Sequence, residues 1–174
     1  TNLEALLERA QILQEQGRNL YFTPATFTSK SRTKAAAKGA HAVWFDIDIR
    51  ADKGYSAAQD AMDGIKKLLQ TFKLPTPTII STGGGYHLYW TCDEQLFPAA
   101  WNQCAKALHA MVKSIGGNLA SDTARITDIA SMMRLPGFKN VTRGGAVATV
   151  VHKAASIPKA QFYEMFDPAK VAAN

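Results

Sequence analysis

The chain has 174 residues, 47% of them apolar and 20% charged, which are globular values that exclude a disordered tail, a collagen-like chain and a coiled coil. No run approaches the roughly 18 apolar residues a membrane span needs. Two cysteines and four histidines with no C-x-x-C pair exclude a disulfide scaffold and leave little for a structural zinc site. The length fits a single domain. Thr at position 1 gives the expectation of a fragment of a longer protein, and Cys92 and Cys104 read as reduced, buried thiols of a cytoplasmic protein.

In chain order, residues 1–17 read as a helix. Leu3, Leu6, Leu7, Ala10 and Leu13 recur at helical spacing, Thr1 with Glu4 has the form of a capping box, and Gly17 is placed to end it. Residues 20–27 read as extended, and residues 29–38 as a basic loop or a short Ala-rich helix. Residues 42–49 give the clearest strand, with Val43, Phe45, Ile47 and Ile49 alternating with Trp44, Asp46 and Asp48. A second helix opens at Ser56 and carries Met62, Ile65, Leu68, Leu69 and Phe72. Two strands, 78–81 and 86–91, flank Gly83, Gly84 and Gly85. Pro98 starts a third helix that ends at Gly116 and Gly117, and residues 126–134 read as helical before breaking at Pro136 and Gly137. Residues 146–151 read as a strand, and a short helix runs from Pro158 to near Phe166. Interspersed strands and helices make this an α+β domain.

The net charge of +6 is unevenly spread. No acid falls between 16 and 45, where Arg18, Lys30, Arg32, Lys34 and Lys38 lie. None falls between 129 and 163, where Arg134, Lys139, Arg143, Lys153 and Lys159 lie. Asp46 and Asp48 sit between these territories, so a fold that joins them makes a basic groove around an acidic centre. Such a groove suits a polyanion with metal chemistry in its middle; the same stretches also read as solvated surface.

Three constellations carry chemistry. Asp46 and Asp48 are two apart on a strand, so their carboxylates project from one face and can share divalent cations, or line a solvated edge. Ser81 through His87 places three glycines between two strands. This allows close backbone approach to a phosphate with His87 beside it, or a plain hairpin turn with a structural histidine. No Gly-Lys-Ser/Thr follows, which excludes a P-loop. The stretch 122–140 sets Asp122 and Asp128 before Arg134 and Lys139 around a Pro-Gly turn, suited to a triphosphate or to a helix C-terminus.

Taken in this order, Phe45-Asp46-Ile47-Asp48, Ser81-Thr82-Gly83-Gly84-Gly85-Tyr86-His87-Leu88-Tyr89-Trp90 and Arg134-Leu135-Pro136-Gly137-Phe138-Lys139-Asn140 resemble the archaeo-eukaryotic primase superfamily. The likeness is greatest to the primase–polymerase domains of plasmid and phage replication proteins. It implies an RRM-like antiparallel sheet with flanking helices, and template-dependent nucleotidyl transfer with two Mg²⁺ or Mn²⁺ ions. By the same resemblance Asp46, Asp48 and Asp122 are the metal acids, Asp122 lying twelve residues before Arg134. Asp128 is a second candidate with a structural role. Ser81, Gly83, Gly84, Gly85, His87, Arg134 and Lys139 match the nucleotide site, although Lys139-Asn140 stands where many plasmid members have a lysine after the asparagine. Single-stranded DNA is the expected template partner, bound through Lys30, Arg32, Lys34, Lys38 and Arg143 with Tyr21 and Phe22 for stacking. Nucleoside triphosphates are the expected substrates, and a fused or separate helicase is an expected partner. The zinc motif of some members is absent. A metal-dependent nuclease and a non-catalytic single-strand-binding module are the alternatives.

Overall fold

The structure is a computed structural model and describes residues 2–50, 57–121 and 123–169. Its centre is a pair of 12-residue antiparallel strands, β3 (Ala37–Asp48) and β5 (Gly85–Leu96). The shorter β1 (Tyr21–Phe22), β2 (Ala25–Phe27) and β4 (Thr78–Ser81) extend around them. The main sheet runs β2-β3-β5-β4-β9, where β9 is Thr149–His152, and every pairing in it is antiparallel. Because β3 and β4 both pair with β5, they run parallel to each other. The helix α2 (Ala58–Phe72) therefore makes a split crossover around an inserted strand. β5 then leads into α3 (Pro98–Ile115), giving a strand–helix–strand–strand–helix order.

The period-two pattern of β3 decides its faces. Val43, Phe45 and Ile47 are fully buried on one side, each contributing about 1.5–3 kcal/mol of burial. Behind the sheet α3 packs on β3, with α2 beside it. The helices bury Ile65 and Leu68 from α2, and Trp101, Leu108 and Val112 from α3. Trp101 donates from Nε1 to the Ala42 carbonyl at 2.8 Å and packs its ring 4.9 Å from that of Trp44. Trp44 shares the alternating face of Asp46 and Asp48 yet is fully buried. Its Nε1 donates to the Arg125 carbonyl at 3.2 Å, which pins the segment after α3 over that face.

Two small ribbons complete the cleft walls. β1 pairs with β6 (Met133–Arg134), and β7 (Lys139–Asn140) pairs with β8 (Ala146–Val147). Helix α4 (Lys159–Met165) is anchored by Phe162, and its C-cap residue Phe166 is buried beside it.

Several expectations shift. The first helix, α1 (Leu3–Glu15), is capped by Asn2, whose side chain accepts from Glu4 N–H, and none of its residues is buried. Thr1 and Ser56 lie outside the described residues. The basic loop ends in a single 3₁₀ turn at Lys34–Ala36, and β3 starts five residues earlier than predicted. Residues 123–131 are not a helix but successive turns with i→i+3 bonds at Thr123–Ile126, Arg125–Asp128 and Asp128–Ser131. The helical ladder fails there because the Arg125 carbonyl also accepts from Trp44 and Ser131, and Asp128 Oδ1 takes the Ala130 N–H. The strand predicted at 146–151 breaks at Ala148, which is fully buried and exchanges backbone bonds with residues 137 and 138. Among the described residues, no helix is long and apolar enough to cross a membrane.

Candidate active site

The acid-bearing face of β3 opens into a cleft of about 200 Å³. Register brings its first members together: Asp46 stands opposite His87 and Asp48 opposite Gly85. Paired residues share a face, so the His87 ring lies beside the Asp46 carboxylate, with Nε2 3.3 Å from Oδ1. The other carboxylate oxygen, Oδ2, accepts from Arg125 Nε at 3.0 Å. The Asp46 side chain is 14% exposed and that of Arg125 52%. A carboxylate so far out of water is retained by cationic and N–H partners.

The imidazole is fixed from its other side. Tyr89 OH lies 3.3 Å from His87 Nδ1. Burial, reinforced by the nearby Asp46 charge, pushes the Tyr89 hydroxyl well above its ordinary range, so it stays neutral and able to donate. Asp46 can only accept, so Nε2 carries a proton. In the neutral imidazole Nδ1 is then left to accept from Tyr89.

The opposite wall is basic. Arg134 on β6 faces Tyr21 on β1; its Nη1 donates to Asn19 Oδ1 at 2.9 Å and its Nη2 to Tyr21 OH at 3.1 Å. The guanidinium carbon sits 4.9 Å from the Tyr21 ring centre. Arg143 closes the end next to Gly84, where an added Cβ would come within 3.0 Å of Arg143 Nε. Asn140 is buried; it donates from Nδ2 to the Thr82 carbonyl at 2.8 Å and accepts from Thr142 Oγ1 at 3.0 Å. That residue locks the β7 ribbon to the glycine turn. Three arginines thus face Asp46 and Asp48 across one polar cleft.

The glycines divide by role. Gly85 lies so close to β3 that a Cβ would overlap the Ile47 carbonyl oxygen, and Gly83, at φ +76°, would drive one into Ala146. Both are explained by close packing of the hairpin, whose turn is closed by Thr82 N–H to the Gly85 carbonyl at 2.9 Å. Only Gly84 of the three lines the arginine-bearing cleft.

Several expected residues lie elsewhere. Ser81 pairs with Tyr86, which pairs with Ile47, so its side chain belongs to the opposite face of the sheet. Lys139 is exposed and does not line the cleft; β7 points Asn140 inward instead. Arg32 donates to the Ala130 carbonyl, and Lys34 pairs with Asp128 at 3.7 Å, so these two basic residues bind the protein's own 128–130 turn. Lys30 and Lys38 remain exposed. Phe22 packs 6.3 Å from Tyr89, and Tyr21 is engaged by Arg134. Asp122 lies outside the described residues. Among the described residues, no group of three acids, histidines or cysteines gathers as a metal cluster. Arg125, Tyr21 and Asn140 as cleft residues were missed. Arg125 and Asn140 sit within the 122–140 stretch, but only their long-range contacts, to Asp46 and to the Thr82 carbonyl, show that they point inward.

No protein-family model matches the chain, and no curated protein matches it. Among solved structures it is similar to the AEP domain of the cyanophage S-2L primase-polymerase (PrimPol). The TM-score is 0.68 at 20% identity, over 91% of this chain and 76% of that one. The chain has the fold of a primase–polymerase AEP domain. The resemblance to archaeo-eukaryotic primases is thereby borne out at the level of fold, and the acid–histidine–arginine cleft is set on that framework.

Proposed function

We propose that this chain is the catalytic core of a template-dependent nucleotidyltransferase, a DNA primase or polymerase acting on nucleoside triphosphates. The observation that carries the reading is one cleft in which Asp46 and Asp48 on β3, His87 on β5 and three arginines converge on a fold shared with a PrimPol AEP domain. In the reaction a strand's 3′-hydroxyl oxygen bonds to the α-phosphorus, and the bond to the leaving pyrophosphate oxygen breaks.

The donor set fits divalent metal. Asp46 and Asp48 are hard oxygen donors on one face, and Asp46 sits in a setting that needs positive charge. Mg²⁺ or Mn²⁺ ions held there, with Asp122 as the proposed further ligand, would activate the hydroxyl and neutralise charge on the phosphates. Arg134, held by Asn19 and Tyr21, presents a fixed guanidinium to the triphosphate, and Arg143 supplies a second beside Gly84. His87, fixed between Asp46 and Tyr89, sets its imidazole at the junction of acids and phosphates. Of the four cations between 30 and 38, the exposed Lys30 and Lys38 are the ones left to follow a single-stranded template. We further read the β3-α2-β4-β5-α3 unit as RRM-like, with β2 taking the edge position beside β3, and place the protein in the cytoplasm.

Incubation with labelled nucleotide, template and primer tests this. Elongation of the primer supports nucleotidyl transfer, shortening supports a nuclease, and template binding alone that is indifferent to chelator supports a binding module.

A further inference from the structure

A divalent cation approaching Asp46 through Oδ2 meets Arg125 already on that oxygen. Arg125 Nε lies 3.0 Å from it, and two cations sharing one carboxylate oxygen repel strongly in a partly buried site. The arrangement around Arg125 separates what is fixed from what can move. Its backbone carbonyl is pinned by Trp44 Nε1 at 3.2 Å and by Ser131 Oγ at 3.5 Å. Its side chain is 52% exposed and, among the described residues, makes only a long 3.5 Å bond from Nη1 to the Met132 carbonyl besides the ion pair. The guanidinium can therefore leave Asp46 by side-chain rotation alone, with the 123–131 turns unmoved. It shares the cleft with Arg134 and Arg143, so a displaced Arg125 stays among the groups that face a polyanion.

We propose that Arg125 is a placeholder cation: it neutralises Asp46 in the metal-free protein, is displaced when a divalent ion binds, and is thereby released towards the substrate phosphates. Metal entry and phosphate recognition are coupled through one side chain. The inference rests on the metal-dependent reading above and adds a positioning residue to it. Arg125 competes with the metal, whereas a structural arginine would be indifferent to it.

The test uses Mn²⁺ alone, titrated by electron paramagnetic resonance without nucleotide or template, on the wild type, Arg125→Gln, Arg125→Lys and Asp46→Asn. Removing the competitor should tighten Mn²⁺ binding by about three- to tenfold, the scale of one partly solvated ion pair. Arg125→Lys should return most of the way to wild type, because charge is restored. Melting temperatures give a second readout. In chelator Arg125→Gln should melt below the wild type, and saturating Mn²⁺ should close that gap, since the ion then does what the guanidinium did. Unchanged or weaker Mn²⁺ binding in Arg125→Gln, or a gap of equal size with and without Mn²⁺, overturns the proposal. Asp46→Asn separates the two layers. If it loses Mn²⁺ while Arg125→Gln is unaltered, the placeholder role alone fails. If it binds Mn²⁺ as the wild type does, the assignment of Asp46 to metal fails and the placeholder role fails with it.

Discussion

Arg134→Ala is the substitution whose outcome the cleft geometry specifies most closely. The guanidinium has five N–H donors, and its hydrogen bonds to Asn19 and Tyr21 use two of them, at 2.9 and 3.1 Å. These bonds and the Tyr21 ring beneath fix its orientation, while Arg134 itself lines the cleft. A guanidinium on a phosphate oxygen makes a charge-assisted bond worth about 1.5–3 kcal/mol net. At roughly 1.4 kcal/mol per decade, its loss should raise the KM for nucleotide about ten- to a hundredfold. The template Kd should move far less. Arg134→Lys should recover only part, because an ammonium cannot satisfy Asn19, Tyr21 and a phosphate in the planar fork. Some stability will also go, about 0.5–1.5 kcal/mol for each protein bond lost, so nucleotide affinity must be expressed per folded molecule. The assay pairs nucleotide titration of primer extension with template binding by anisotropy and a thermal melt. A mutant that melts lower yet binds nucleotide as the wild type does, per folded molecule, refutes the triphosphate role and leaves Arg134 as a strut between β1 and β6.

Other outcomes follow from the same structure. Gly85→Ala would force a Cβ into the Ile47 carbonyl and part β3 from β5 beside the acids; it should cost about 1–3 kcal/mol or more in denaturant melts and lower activity further, whereas wild-type stability would show that the close approach is dispensable. Neutralising Lys30 and Lys38 should flatten the salt dependence of single-strand binding by about 0.7 log unit per lost contact. Neutralising Arg32 and Lys34, which bind the 128–130 turn, should reduce stability more than salt slope; a reversed pattern would mean that Arg32 and Lys34 face the nucleic acid. Burial pushes the Cys104 thiol up to about 11 and raises that of Cys92 as well, so at pH 8 both should react with a thiol reagent only as fast as the protein opens. Rapid stoichiometric labelling of the native protein would contradict their burial.

What the sequence disclosed depended on the range of the interaction that fixes each feature. The body of β3 around Phe45 and Ile47 follows from alternation within the strand, β4 at Thr78–Ser81 from a short β-branched run between Pro77 and the glycines, and α3 from an N-terminal Pro98 and a Gly116 stop. The pairing of Asp46 with His87 does not follow from such local signals, because the three-residue turn joins β4 to β5, whereas β3 reaches β5 only through α2 and β4. The turns at 123–131 were hard to read because one of the groups that break the helix is distant in sequence: Trp44 Nε1 reaches across 81 residues to the Arg125 carbonyl. The choice between Lys139 and Asn140 turned on which way a two-residue strand presents its faces, and that is set by Asn140 reaching Thr82 across 58 residues. Ser81 illustrates the same limit at shorter range, since a one-residue step along β4 moves a side chain through the sheet.

The central claim is that the carboxylates facing this cleft support strand synthesis. The most direct measurement is extension of a labelled primer on a single-stranded template, with nucleoside triphosphates in Mg²⁺ or Mn²⁺, by the wild type and by Asp48→Asn. That substitution keeps the side-chain shape while removing one anionic charge. The account predicts template-directed elongation by the wild type, abolished by chelator. It predicts none by Asp48→Asn, whose melting temperature and template affinity stay near wild type. Undiminished elongation by a folded Asp48→Asn, or a wild type that only shortens the strand, would contradict it.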